Sequence, residues 1–149
     1  MRVAFDIGGV LSKYPAQFRE LIERLSDRGR AASIFVISDM HPKEKLVTLM
    51  RLNQISVWEQ NLYCADFDKY GEGCKAELLD ELKIDLFFDD HISYCAARFP
   101  GAYPTIRCLV WPDASMPYTA DDWITPPEWP KFGRVSYQRE AGATKKGPC

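Results

Sequence analysis

The feature that most constrains the fold is a set of short apolar runs that do not alternate with polar residues. The clearest run is residues 33–37 (SIFVI), which is rich in β-branched and aromatic side chains. Unbroken runs of this kind are typical of strands in parallel sheets, because helices cover both faces of such sheets. Similar runs occupy residues 3–5, 62–65, 86–88 and 105–110. The sequence therefore predicts five strands.

Helical periodicity separates these runs. After Pro15, apolar residues recur at the spacing of one helical face, and Gly29 suits the C-terminal cap of a helix of about 14 residues. Further helical patterns begin at Pro42 and near Lys75, and another spans residues 92–99. Alternation of strands and helices is the pattern of an open parallel sheet. We therefore expect an α/β fold with a doubly wound, mostly parallel, five-stranded Rossmann-like sheet.

Length and composition indicate one domain with an irregular C-terminal part. The chain has 149 residues, which is close to the usual size of a single domain. Beyond Trp111, prolines and tryptophans are interleaved and no periodicity survives. We expect residues 1–111 to form the α/β core. Residues 112–149 are expected to form an irregular extension that is packed by aromatic side chains and has a mobile end.

Charge, hydropathy and cysteine usage disfavour several classes of protein. The formal net charge of −2 offers no basic surface for bulk electrostatic binding of nucleic acid. No apolar stretch approaches the roughly 18 residues that a membrane span needs, and Asp6 interrupts the region where a signal peptide would be apolar. The five cysteines form no Cys-x-x-Cys pair, and we expect reduced thiols. These expectations favour a cytoplasmic protein that does not bind a membrane.

Polar residues follow three of the predicted strands. Asp6 ends the first run, Ser38 ends the second, and Asp89 and Asp90 end the fourth. Ligands of parallel α/β sheets bind at the carboxyl ends of strands, near the point where the strand order reverses. Each residue alone also fits an ordinary structural role, with Asp6 in a turn and Ser38 or Asp90 as a helix N-cap. Together they predict a site, which requires the Asp6 strand to lie between the other two.

The order of these residues resembles that of the haloacid dehalogenase superfamily, whose members use an aspartate nucleophile. Residues 3–11 (VAFDIGGVL) are similar to the first motif of the superfamily, 34–38 (IFVIS) to the second, Lys75 to the third and 87–90 (FFDD) to the fourth. The resemblance spans residues 2 to about 110. The first and last motifs are the specific ones, because a serine after a strand or a lysine opening a helix is common.

The resemblance implies a role for each motif residue. Asp6, a carboxylate that is ordinarily ionised at neutral pH, would attack phosphorus and form an aspartyl-phosphate that water then hydrolyses. Ser38 and Lys75 would join Asp6 in catalysis, with Lys69 as the competing lysine. The implied phosphate-binding residues are Ser38, Asp39 and Lys75. The implied ligands of Mg²⁺, the expected cofactor, are Asp6, Asp89, Asp90 and the backbone carbonyl of Gly8.

The carboxylates of the implied metal site carry like charges. If Asp6 and Asp89 converge without a cation, they are expected to be unpaired and to repel each other. Mg²⁺ would relieve that repulsion and would bind the folded state only. We therefore expect Mg²⁺ to stabilise the fold.

Position 8 departs from the pattern of the superfamily. Its phosphatases carry an aspartate two residues after the nucleophile as general acid and base, whereas this chain has Gly8. Loss of that group would cost about 10²- to 10⁴-fold in rate, and Asp39, His41 or His91 could supply the proton instead. Two functions therefore stay open: Mg²⁺-dependent hydrolysis of a phosphomonoester, or a catalytically weak module that binds phosphate or a partner. A dehalogenase is less favoured, because that chemistry needs a closed apolar pocket.

The spacing of the motifs leaves little room for a cap domain. One helix and one strand take up most of residues 7–37, and one helix and a weak strand take up most of residues 39–74. Capless members of the superfamily tend to act on phosphate groups of large molecules. We therefore expect a phosphorylated substrate, small or macromolecular, with nucleotides and nucleic-acid ends as examples. An open site also predicts a cover from a protein partner, an oligomer or the C-terminal segment.

Overall fold

The computed structural model describes residues 1–26, 33–111 and 113–129. The strands are β1 (Arg2–Phe5), β2 (Ser33–Ser38), β3 (Leu62–Cys64), β4 (Leu86–Asp89) and β5 (Ile106–Leu109). The helices of the described part are α1 (Pro15–Ser26), α2 (Lys43–Leu52), α3 (Phe67–Tyr70), α4 (Cys74–Glu81) and α5 (Ile92–Ala96). An irregular turn, Ile7–Leu11, connects β1 to α1. The alternation of strands and helices confirms the predicted α/β fold.

The five strands form one sheet in which every neighbouring pair is parallel. Their order is β3-β2-β1-β4-β5, so β1 is central with β2 and β4 beside it, as the positions of the polar residues predicted. Phe5 of β1 pairs with Val36 of β2 and with Phe88 of β4. The residues that follow Phe5 and Phe88 are Asp6 and Asp89. The register therefore makes these two aspartates neighbours at the carboxyl edge of the sheet.

Helices cover both faces of the sheet, which explains why the strands are apolar without alternation. Val3 and Phe5 of β1 belong to one apolar layer, and Ala4 belongs to the other. The first layer is completed by α1 and α2, and the Phe5 ring stacks on that of Phe88 at a centroid distance of 5.1 Å. The second layer is completed by α4 and α5, through side chains that include Leu79 and Tyr94. Each face therefore has its own core.

The described C-terminal residues, 113–129, pack against the first layer, and we call them the C-terminal strap. The strap contains no helix or strand, yet its Trp123 is only 5% exposed and lies in the same core cluster as β1. The Asn53 side chain donates to the Ile124 carbonyl at 2.8 Å and accepts from the Ile124 amide at 2.7 Å. The rest of the predicted extension, with its expected mobile end, lies outside the described residues.

The predicted C-terminal end of α5 differs from the structure, and that of α1 is not tested. The predicted cap of α1, Gly29, lies outside the described residues. The helix predicted over residues 92–99 ends at Ala96 instead. The Arg107 guanidinium of β5 donates to the Tyr94 carbonyl at 3.1 Å and to the Ala97 carbonyl. These bonds satisfy carbonyls that a longer helix would have used, so a contact distant in sequence ends α5 early.

The cysteines only partly follow the prediction of reduced thiols. Cys74, Cys95 and Cys108 are free, whereas Cys64 is disulfide-bonded, so the prediction is wrong for Cys64. Within the described ranges, no helix combines the length and the apolar character needed to cross a bilayer.

Candidate active site

Three strand ends and one helix bring polar side chains to the carboxyl edge of the sheet. Asp6 follows β1, Ser38 ends β2 and Asp89 ends β4, while Lys75 lies in the first turn of α4. All four side chains are buried, and those of Lys75 and Asp89 are at most 1% exposed. Buried charges are stable only when they are paired and hydrogen-bonded. The contacts among these residues therefore define the site.

The Lys75 ammonium lies between the aspartates of the two central strands. Its Nζ is 2.8 Å from Asp6 Oδ1 and 2.8 Å from Asp89 Oδ2. The expectation that Asp6 and Asp89 are an unpaired, repelling pair is therefore wrong, because the lysine lies against both. Burial lowers the pKa of Lys75, but the surrounding carboxylates outweigh burial and hold that pKa well above its ordinary value. Lys69, the competing lysine, is exposed on α3 beside the ring of Tyr70.

Asp39 and Tyr94 complete the surroundings of the Lys75 ammonium. Asp39 Oδ1 lies 3.7 Å from Lys75 Nζ, and the Tyr94 hydroxyl donates to Asp39 Oδ2. The Tyr94 ring lies 4.2 Å from Nζ, a cation–π arrangement. Tyr94 thus contacts both the cation and one of its carboxylates. Phosphate binding by Asp39 stays a prediction, since its carboxylate is directed at Lys75.

Asp6 is held in a strongly negative environment. Its backbone amide donates to the Phe88 carbonyl at 2.9 Å, which fixes it against β4. Burial raises the pKa of the Asp6 carboxyl well above its usual value, and Asp89 and Asp39 raise it further while Lys75 opposes them. Three carboxylates therefore share one ammonium. When ionised, the group has an excess of negative charge that one further cation would offset.

Three aspartates provide a place for such a cation. One carboxylate oxygen each from Asp6, Asp89 and Asp90 lies within 4.8 Å of the others. Asp89 Oδ1 accepts a 2.7 Å hydrogen bond from the His91 amide, which fixes the orientation of that carboxylate. Oxygen ligands of this kind match the preference of Mg²⁺. The residues present therefore fit the metal that the sequence implies, and Gly8 lies in the turn directly after Asp6.

Two consecutive glycines let other groups approach the turn after β1. Gly9 has φ = +64°, and a Cβ built there would overlap the Asp90 carboxylate. A Cβ built on Gly8 would overlap the hydroxyl oxygen of Tyr118, from the C-terminal strap, and would lie 3.2 Å from its ring carbon Cζ. Burial, followed by the nearby Asp90 and Asp6 carboxylates, raises the pKa of the Tyr118 phenol. The side that Gly8 leaves open is therefore occupied by a protonated hydroxyl.

Tyr94 and Tyr118 were missed by the sequence analysis, for different reasons. Tyr94 lies in the helix that follows Asp90, so its position next to the motif was a usable signal. Tyr118 lies in a segment without periodicity, and no pattern in the sequence links it to Gly8. Ser38 lies at the predicted edge, with its Oγ accepting from the Met40 amide at 3.2 Å, so its role towards phosphate stays a prediction.

His41 was one of the alternative proton donors, and the structure disfavours it. His41 is 7% exposed. Burial, and then the nearby Lys45, lowers its pKa to about 4, with Asp39 acting in the opposite sense. A histidine with this pKa is uncharged at neutral pH and is a poor general acid. His91, the other histidine, is exposed.

The buried His41 is expected to make the fold sensitive to acid. The unfolded chain binds a proton on this histidine below about pH 6.5, whereas the folded protein binds it only near pH 4. Stability is therefore lost as pH falls from about 6.5 towards 4, by ~3 kcal/mol in total. Urea unfolding at several pH values should show this loss in the wild type and not in His41→Gln. The exposed His91 gives the control, because His91→Gln should keep the wild-type decrease in the free energy of unfolding between about pH 6.5 and 4. An equal decrease in His41→Gln would contradict the prediction.

The geometry combines the groups that phosphoryl transfer requires. A carboxylate, Asp6, lies at the end of the central strand, an ammonium lies against it, and further carboxylates can hold a divalent cation. Such chemistry depends mainly on positioning and on charge stabilisation. Comparisons of this chain with protein-family models, curated proteins and solved structures give no match.

Proposed function

We propose that the protein is a Mg²⁺-dependent phosphohydrolase of the haloacid dehalogenase type, which cleaves a phosphomonoester through an aspartyl-phosphate. The observation that carries the proposal is the position of Lys75 Nζ, 2.8 Å from both Asp6 and Asp89, beside the cluster of Asp6, Asp89 and Asp90. A buried lysine shared between two strand-end aspartates has a direct use in charge stabilisation of a phosphoryl group.

In the first step of the proposed reaction, a carboxylate oxygen of Asp6 forms a bond to phosphorus. The ester P–O bond breaks, and the leaving oxygen takes the electron pair and then a proton. In the second step a water oxygen bonds to phosphorus, the bond to Asp6 breaks, and inorganic phosphate leaves with the carboxylate restored. Lys75 offsets negative charge on Asp6 and on the phosphoryl oxygens throughout. Mg²⁺, held by Asp6, Asp89, Asp90 and the Gly8 carbonyl, would neutralise phosphate charge.

Among the described residues, no additional domain is inserted between the strands that carry the site. Residues 39–73 hold only α2, α3, β3 and short helical turns. This supports a capless enzyme that acts on a small or macromolecular phosphorylated substrate, with the C-terminal strap or a partner as cover.

The second candidate function is a catalytically weak module that binds phosphate or a partner on the same site. It is favoured by Gly8, which supplies no general acid. This module would keep Mg²⁺ binding but would turn over no ester.

Hydrolysis of a generic aryl phosphate separates the two candidates. The enzyme should release inorganic phosphate from nitrophenyl phosphate in millimolar Mg²⁺ and should stop when the metal is chelated. A wild-type protein that binds Mg²⁺ but hydrolyses neither aryl nor alkyl phosphates would favour the binding module.

Mg²⁺ is also expected to raise the melting temperature. At 100 times its dissociation constant the metal would stabilise the fold by roughly 2.7 kcal/mol, which corresponds to several degrees. Asp89→Asn should lose most of this shift. Asp68→Asn, a change at an exposed position of α3, should keep the full shift. A wild type that shows no shift at millimolar Mg²⁺ would argue against a metal at this cluster.

A further inference from the structure

Tyr118 comes from the irregular C-terminal strap, yet its hydroxyl lies against the turn that carries Asp6. A Cβ on Gly8, two residues after Asp6, would overlap this hydroxyl oxygen. Any side chain at position 8 would therefore have to displace the phenol. Gly8, which has no side chain, leaves a space beside the turn, and the Tyr118 hydroxyl occupies that space.

The strap is tied to the turn by hydrogen bonds around Ser12. The Ala120 amide donates to the Ser12 carbonyl at 2.7 Å. The Ser12 hydroxyl accepts from the Gly9 amide at 3.2 Å and lies 3.5 Å from the Tyr118 carbonyl, to which it can donate. One buried serine thus connects the glycine turn to both sides of the Tyr118 segment. The hydroxyl of Tyr118 is therefore positioned by the same turn that positions Asp6.

We propose that the Tyr118 hydroxyl donates a hydrogen bond to the leaving-group oxygen of the phosphoester, in the space that Gly8 leaves open. The inference rests on the proposed hydrolase function. Within the described residues, the Tyr118 hydroxyl donates to no protein group, so its proton is available to a ligand. The residue as a whole is 47% exposed, while its hydroxyl end is the more buried part. Its hydroxyl oxygen lies against the position of a Gly8 Cβ, two residues after Asp6, which places the donor beside the reacting groups.

The phenol keeps its proton throughout the proposed step. When the Asp6 oxygen bonds to phosphorus, the ester P–O bond breaks and its electron pair remains on the leaving oxygen. The hydrogen bond from Tyr118 stabilises that developing charge, and solvent then supplies the proton that completes the alcohol. A fixed donor directed at a developing oxyanion is worth most when the leaving group is strongly basic.

The choice of leaving group gives the test. Tyr118→Phe keeps the ring and removes only the hydroxyl oxygen. It should lower kcat/KM for an alkyl phosphate by about 10- to 100-fold, the usual effect of one hydrogen bond to a charged group. The loss for nitrophenyl phosphate should be less than about threefold, because nitrophenolate is a weakly basic leaving group that needs little help. The wild type and the variant are compared with both esters at saturating Mg²⁺.

Tyr103→Phe is the matched control. It removes a phenol oxygen that bonds to Asp85 at the opposite, amino-terminal side of the sheet. This control should leave the ratio of the two kcat/KM values unchanged. Equal losses for both esters in Tyr118→Phe, or a gain for both, would overturn the inference; a gain would show that Tyr118 obstructs the site.

Two phosphate analogues give a readout that does not depend on turnover. Orthovanadate on Asp6 carries an apical oxygen where the leaving group would be, whereas beryllium trifluoride on Asp6 mimics the aspartyl-phosphate and has no such oxygen. Tyr118→Phe should weaken vanadate binding about tenfold or more and should leave beryllium trifluoride binding unchanged, as measured by calorimetry in Mg²⁺. Equal affinities of wild type and variant for vanadate would contradict the inference.

The outcomes also separate this inference from the proposed function. If the wild type hydrolyses both esters and Tyr118→Phe matches it, the function stands and the role of Tyr118 is rejected. If the wild type hydrolyses no ester and binds neither analogue, the proposed function is rejected and the inference is rejected with it.

Discussion

Asp6→Asn is expected to abolish phosphate release, by about 10⁴-fold or more, while the fold is retained. The amide cannot form the covalent bond to phosphorus, and removal of a nucleophile costs at least this much in comparable enzymes. Stability should not fall with activity, because burial raises the pKa of Asp6. A group whose pKa is raised on folding destabilises the fold once pH exceeds its ordinary pKa, so at neutral pH a neutral isostere is at least as stable.

The measurement pairs a rate with a covalent product. Wild-type protein quenched in acid during turnover should carry an extra phosphoryl group on the peptide that contains Asp6, and Asp6→Asn should carry none. Asp68→Asn, at an exposed position of α3, should retain both the rate and the adduct. Activity in Asp6→Asn within tenfold of the wild type would exclude the covalent mechanism.

Lys75→Met is expected to lower the free energy of unfolding by about 3–5 kcal/mol at neutral pH. The change leaves Asp6 and Asp89, each 2.8 Å from the wild-type ammonium, as buried charges without a cation. Removal of one partner from a buried ion pair is strongly destabilising, because the remaining charge stays desolvated. Since the carboxylates surrounding Lys75 raise its pKa, its stabilising charge is fully present below its ordinary pKa and is lost only in strong alkali. Urea unfolding of the wild type and the variant measures the difference.

A change of pH and a second substitution show whether the stability lost in Lys75→Met comes from charge or from packing. The loss in Lys75→Met should shrink in mild acid, as the carboxylates become protonated, and should shrink again in Lys75→Met/Asp89→Asn. Lys69→Met, at the exposed lysine of α3, should change stability little. A pH-independent loss would indicate that the lysine stem contributes packing rather than charge.

The strand ends could be predicted because their signal is local. Each of the runs that precede Asp6, Ser38 and Asp89 is apolar for several residues, which marks a buried strand and its final residue. The central position of β1 then follows from the need to bring Asp6 and Asp89 together, and the observed strand order agrees. The choice of Lys75 over Lys69 depended on its place at the start of the helix that leads to Asp89, and the ion pairs with Asp6 and Asp89 support it.

Other parts of the site depend on contacts between distant segments. The contact of Tyr94 with Asp39 and Lys75 depends on how α5 is rotated, and α5 itself is shortened by Arg107 of β5. Tyr118 reaches Gly8 because contacts of Ser12, Asn53 and Trp123 hold the strap against the turn and the first layer. These positions are set by tertiary packing, so no periodicity in the sequence could indicate them.

The burial of Trp123 also has a consequence for the order of events during synthesis. The β1 strand is translated before Trp123, which shares its core cluster but lies more than a hundred residues further along the sequence. Because domains are completed only when their last packing element has emerged, a nascent chain stalled after β5 would have its sheet but lack this side chain. Such an intermediate would expose apolar surface around β1 and would be a target for chaperones until residues 118–124 are released.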